Sequence, residues 1–262
     1  MKLYRIQAVI MRHMFETRRN YDRITDILYW PIMDIVMWGF FTFYLTHGNN
    51  LRPNAVSFLL GAIIMWNMFR SFQRDMAVGF LAELWSRNLI NLFSTPLTIT
   101  EYMAGLILVN LGKVAAGMTV ASLVAWACYS YNIFVPLPQL LPFMLSLMLF
   151  ALAVGIMTTG LIFRFSTKIQ GVAWSFVGLL MPISCVFYPL SMLPKFIVPV
   201  ALMLPTTHAF EGMRQVIAGG GINPANLSWC FGLDAIYLGA SVLFFRTIFE
   251  SARTRGLLIK VE

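Results

Sequence analysis

Charge is what this sequence has least of. Asp, Glu, Lys and Arg together make up 11% of its 262 residues, where a soluble domain carries about a quarter. Between Val114 and Phe163 there is no charged residue at all. A chain so poor in charge cannot cover the surface of an ordinary soluble domain, and that class is excluded. Cysteine is scarce too: Cys128, Cys185 and Cys230 each fall in an apolar run without metal-ligand spacing. They read as small buried hydrophobes, not as a disulfide framework or a metal site. The three histidines, His13, His47 and His208, lie in different regions. With no ligand cluster and no nucleophile motif, no catalytic residue and no metal site is assigned. Gly112-Lys113 resembles the end of a phosphate loop, but Ile107 stands where the pattern requires Gly and Val114 replaces Ser/Thr. The chain therefore does not bind ATP through a P-loop of its own. Six basic residues lie in the first 25, with no clean apolar core between them, so no cleavable signal peptide is expected.

What is abundant is apolar. Hydrophobic residues reach 59% and mean hydropathy is +0.74. At about 20 residues per span there is room for roughly six membrane-crossing helices. The expected fold is all-α and polytopic, one transmembrane domain over 1–262. The formal charge of +8 does not indicate nucleic acid: the basic residues flank apolar segments, which suits anionic lipid headgroups.

Leu3, Ile6, Ile10 and Met14 share one side of a helical wheel with Arg5, Arg12 and Arg19 largely away from it. This predicts an interfacial helix within 1–25. Spans are expected at 26–46, 54–72, 100–131, 140–163, 169–188 (bent at Pro182) and 226–247. The region 75–93 is amphipathic: Leu81, Leu84, Trp85, Leu89 and Leu92 share a face, while Glu83, Arg87 and Asn91 lie elsewhere. It reads as a separate surface helix, with Glu83 and Arg87 in the favourable i,i+4 order. Thr98-Ile-Thr-Glu101 is a capping box opening the next helix. Prolines at 189, 194, 199 and 205 are too many for one straight helix, yet the stretch is too apolar for an aqueous loop. A re-entrant cap over 189–217 is expected, and a cap over a set of spans points to transport.

Lys and Arg in the connections fix the orientation. Fifteen lie on the side of the N-terminus, the 70–97 connection, the 164–168 turn and the tail; the other side has Arg52, Lys195 and Arg214. Both termini are then cytoplasmic and the proline-rich cap faces outward. Inside spans, each charge costs about 2.5–3.5 kcal/mol at a helix centre. Asp34, Lys113 and Asp234 fall there, as a polar pathway or proton relay, or alternatively as a structural pair between helices. Trp38 and Trp66 are the aromatic residues placed deep enough to line a path; interfacial belts account for the others.

Two motifs carry a family resemblance. Arg87-Asn-Leu-Ile-Asn-Leu-Phe-Ser-Thr-Pro96-Leu followed by Glu101-Tyr is one. The other is Tyr188-Pro-Leu-Ser-Met-Leu-Pro194 with Leu204-Pro-Thr-Thr-His208-Ala-Phe-Glu211-Gly-Met-Arg214. The chain resembles, over essentially its whole length, the membrane subunit of ABC type-2 exporters. The resemblance implies a half-transporter of the bacterial cytoplasmic membrane, paired with a second copy of itself, with two ATPase subunits beneath that bring ATP and Mg. It makes 75–93 the coupling helix, with Glu83, Arg87 and Asn88 as contacts to the ATPase. It also makes Asp34, Trp38, Trp66 and Tyr188 the lining of the path, along spans one, two and five. The resemblance further implies an outer gate made by Pro194, Pro205, His208, Glu211 and Arg214. Family members often carry a more charged coupling run, where this chain has Phe80, Leu81, Leu84 and Trp85. The cargo expected from the resemblance is amphipathic or lipid-linked, with a lipid-linked glycan and a hydrophobic drug or lipid as the competing classes. The competing classes are an ion-coupled secondary transporter using Asp34 and Asp234, and a membrane-embedded enzyme, which the missing catalytic constellation disfavours.

Overall fold

The structure, a computed structural model, describes residues 2–48, 54–86, 94–165 and 170–254. Helices account for nearly all of it, with no strand among the described residues. In chain order they are α1 (Leu3–Arg19), α2 (Tyr21–Gly48), α3 (Asn54–Trp85), α4 (Ile99–Tyr129), α5 (Leu137–Phe165) and α6 (Gln170–Ile183). A 3-10 turn at Leu190–Met192 follows, then α7 (Val198–Leu202), α8 (Pro205–Ile217) and α9 (Pro224–Thr254). Among the described residues, four stretches are long and apolar enough to cross a membrane: Arg23–Tyr44, Ile99–Tyr129, Leu137–Ile162 and Pro224–Ile248. The other two expected spans fall outside that set. α3 carries Asn67, Arg70, Gln73, Arg74, Asp75 and Glu83, and α6 has 14 residues, roughly 21 Å of helix.

α3 is the centre of the bundle, packed against α2, α4, α5 and α8, while α5 packs most extensively on α9. From Leu60 to Phe69 nearly every α3 side chain is buried. An aromatic ladder ties it outward: Trp66 stacks on Phe69 at 5.1 Å, Phe69 on Phe150 at 5.7 Å, and Phe150 meets Tyr237 edge-on at 5.1 Å. By contrast α2 exposes Met33, Met37, Phe40 and Tyr44, and α9 exposes Trp229, Ile236 and Leu243. Such faces suit lipid or another apolar surface.

The capping box forms as expected: Glu101 N donates to Thr98 Oγ1 at 3.3 Å, and Thr98 N to Glu101 Oε2 at 3.1 Å. Close backbone approach joins α2 to α4. Pro31 has no N–H to give the Ile27 carbonyl, and a Cβ on Gly117 would stand 3.0 Å from that oxygen. A side chain at 117 would push the two helices apart.

Three expected boundaries are corrected. No break separates 72 from 75: α3 runs continuously to Trp85, because 71–75 contains neither Gly nor Pro and its polar groups find protein partners. The stretch 1–25 is not one helix, since Asn20 is extended (φ −111, ψ 105) and α2 starts at Tyr21. Pro182 ends α6 at Ile183 instead of bending a span that continues to 188.

Candidate functional site

Trp30, Asp34 and Trp38 recur every four residues and so share one face of α2. Opposite them α3 presents Trp66, Asn67, Arg70 and Gln73, and α6 contributes Val177, Gly178 and Met181. With Phe187 they enclose a cavity of about 440 Å³. Its wall holds an ion pair: Arg70 donates to Asp34 Oδ2 at 2.6 Å and to Asn67 Oδ1 at 2.7 Å. Trp38 is stacked on Phe187 with centroids 4.7 Å apart and rings 23° from parallel. Indole walls and one charge-assisted cluster offer an amphipathic ligand both kinds of contact.

Asp34, Trp38 and Trp66, which the sequence reading put along a path, line this one cavity. Tyr188 is not among them. Its hydroxyl donates to the Pro182 carbonyl and its own carbonyl accepts from Arg214 at 2.6 Å, and Phe187 takes its place in the wall. Arg70, expected in a cytoplasmic connection, lies inside α3. Arg70 and Phe187 are what sequence reasoning missed, and Trp30 is what it left to the interfacial belt; an Arg in an apolar stretch, opposite a lone Asp in another, was the available signal. Lys113 pairs with neither expected aspartate and lies 4.0 Å from Asp75. Asp234 is 1% exposed. Neither of its carboxylate oxygens has a hydrogen-bond partner among the described residues, although the Ser146 hydroxyl of α5 lies alongside.

At the opposite end of α3, Glu83 is also 1% exposed. Arg12 of α1 holds it at 2.8 Å, so Glu83 is not the surface contact that the sequence reading made it. α1 is pinned a second time at Glu101, which pairs with Arg5 at 3.3 Å and accepts the Lys2 amide at 2.7 Å. Between these clamps His13 is buried against Tyr102, with Nδ1 3.3 Å from Glu16. Burial holds the His13 imidazole below its ordinary value, against the pull of Glu16. Arg87 and Asn88 lie outside the described residues.

The proline-rich stretch breaks into short pieces fastened by α8. Pro205 occupies the first helical position, where its missing N–H costs nothing. His208 Nε2 lies 3.0 Å from the Leu202 carbonyl, and its ring stacks on Trp229 at 5.9 Å. Glu211 accepts the Leu190 amide at 2.7 Å. Arg214, 3.6 Å from Glu211, donates to the carbonyls of Cys185 and Tyr188. Cys185 adopts φ +54, turning the chain so that both carbonyls reach one guanidinium. Pro194 is exposed and outside this network. α8 approaches α5 so closely that a Cβ on Gly212 would lie 2.3 Å from the Phe143 ring.

Residues 4–218 match the family model described as ABC-2 type transporter. No curated protein matches the chain.

Proposed function

The chain belongs to the ABC-2 type transporter family, and from that premise we propose that it is the permease subunit of an ATP-driven exporter. On this reading it moves an amphipathic or lipid-linked substrate outward across the bacterial cytoplasmic membrane. The observation that carries it is the cavity between α2, α3 and α6, where tryptophans face the Asp34–Arg70 pair. α3 and α6 complete six spans with the four long apolar stretches, since the polar side of α3 is turned to protein and not to lipid. Both termini are cytoplasmic, as the basic bias requires. A second copy covers part of the exposed α2 or α9 face, and ATP and Mg are held by two separate ATPase subunits.

The 189–217 cap re-enters the bilayer. Met203 O accepts the Tyr237 hydroxyl at 3.1 Å, and Tyr237 is roughly 20 Å along α9 from Pro224 at 1.5 Å per residue. Pro205, His208, Glu211 and Arg214 gate the path through α8, which makes four of the five expected gate residues one rigid unit. The coupling surface is redrawn. Glu83 acts from beneath, by fixing α1 to α3 through Arg12, and Arg87 and Asn88 remain the direct contacts. The ion-coupled alternative needs Asp34 free, and Asp34 is committed to Arg70.

The test is co-expression with the ATPase encoded nearby. Alone the protein should hydrolyse no ATP. Together the two should co-purify, and ATP should drive transport in proteoliposomes without a proton gradient. Transport sustained by a proton gradient with no ATPase present would overturn the reading.

A further inference from the structure

Among the described residues a second cavity is larger than the one between α2, α3 and α6. It lies at the end of the bundle away from α1, where the start of α3, the α4–α5 turn and the end of α8 meet, and measures about 710 Å³. Its described lining contains no charged side chain: the polar groups are Ser57, Tyr129, Ser130, Tyr131, Asn132 and Gln139. In a chain of net charge +8, that absence sets it apart from the path, whose wall is built on an ion pair.

Local geometry presents these groups. Ser130 caps α4 at φ +53, folding the 130–132 turn over the cavity. Asn132 Oδ1 accepts the Phe134 amide at 3.0 Å, which fixes the side chain and leaves its NH2 as the donor. Tyr129 is anchored by its hydroxyl to the Val36 carbonyl at 2.9 Å, so what it offers is the ring. On the far side Gly219 and Gly221 adopt φ +82 and +73 and bring bare backbone to the rim. Amide and hydroxyl groups that both donate and accept, beside an aromatic ring and without net charge, match a ligand of many hydroxyls and C–H faces. Among the described residues they offer no charge to balance a phosphate or carboxylate, and too much polarity for a purely apolar molecule.

We propose that this cavity is a second binding site, specific for an uncharged, hydroxyl-rich head group of the sugar class. It deepens the exporter reading, on which it rests for its outer sidedness, by naming a neutral glycan as what emerges there and disfavouring a hydrophobic drug.

The test uses the full-length protein in lipid nanodiscs without the ATPase, so that its failure is separable from failure of the exporter reading. Saturation-transfer NMR is recorded with maltohexaose. Oligogalacturonate is the anionic competitor, a needed control because Arg52 precedes Val56 by four positions in the sequence, and rhodamine 6G is the apolar one. Maltohexaose should bind, and neither competitor should displace it. Asn132→Leu and Gln139→Leu should each weaken binding about 5-fold, the loss of one neutral hydrogen bond. Asn132→Ser, which retains a donor, should weaken it less than Asn132→Leu. Unchanged thermal melting establishes that each variant is folded. Absence of maltohexaose binding, displacement by either competitor, or full affinity in both Leu variants would overturn the assignment. If the ATPase nevertheless co-purifies and drives transport, the exporter reading survives and this site alone falls.

Discussion

Replacing Arg70 by Met tests whether the cavity wall depends on its ion pair. Arg70 Nη2 lies 2.6 Å from Asp34 Oδ2, with side chains 39% and 23% exposed. Unit charges about 4 Å apart attract by about 4 kcal/mol at an effective dielectric of 20. Partial exposure and side-chain entropy reduce this to about 1–2 kcal/mol. Asn67 also loses the donor to its Oδ1, while its Nδ2 is already buried without a partner, which adds about 1 kcal/mol. Arg70→Met should therefore destabilise by about 2–3 kcal/mol, and Asp34→Asn by about 1–2 kcal/mol. The double variant Asp34→Asn/Arg70→Met strands no charge and should recover part of the loss, giving a coupling of about 1–2 kcal/mol between the two sites. Thermal unfolding in nanodiscs reads this, at roughly 2–4 °C per kcal/mol for a chain of this size. Additive single effects, with coupling under about 0.4 kcal/mol, would refute the idea that the pair acts as a unit and reduce it to two independent polar groups in a wet cleft.

Two further outcomes are expected. Gly212→Ala puts a methyl 2.3 Å from the Phe143 ring and should cost about 1–3 kcal/mol by overpacking; the melting temperature should fall, and Phe143→Leu in the same chain should restore it. His13 sits below its ordinary value of 6.5 because of burial, so the unfolded state binds more protons than the folded one. The stability it allows is complete above about pH 6.5 and is lost as pH falls below it; His13→Phe should flatten melting temperature between pH 8 and 5, and an unaltered acid limb would remove His13 as the cause.

Much of the helix plan is legible in the sequence because its signals are local. The Thr98–Glu101 box, the charge-free run broken at Asn132 to Pro142 and the proline cluster after Pro182 all act within a few residues of themselves. Site residues are legible only in part, for a different physical reason. Hydropathy prices Arg70, Arg74 and Asp75 against lipid, and on that scale they end a span. The structure sets them against α2 and α4, where Asp34, Asp26 and Lys113 answer them, so the helix continues. Glu83 presents the same difficulty at longer range, since its partner is 71 residues away and no periodicity points to it. The exchange of Tyr188 for Phe187 falls just after the positive φ at Cys185, a backbone turn that composition does not record.

The two ends of the bundle meet in α3. At one end Arg12 fixes α1 to Glu83, so a force on α1 acts on α3 through a buried acid that cannot easily release its cation. About three and a half turns away on the same helix, Arg70 holds Asp34 and so ties α2 to α3 across the cavity. At the other end Arg214 and Glu211 bind the backbone of 185–190 to α8, and Phe187, within that segment, is the ring on which Trp38 of α2 rests. Across the cavity α2 is therefore held to α3 by charge and to the 185–190 segment by stacking, while its other side is tied to α4 by the Tyr129 hydroxyl on the Val36 carbonyl. The charge-assisted contact is directional and fixes position, whereas the stacked contact tolerates sliding. Of the two contacts that bridge the cavity, Trp38–Phe187 is the one whose geometry tolerates a shift, and Asp34–Arg70 is the one that fixes position.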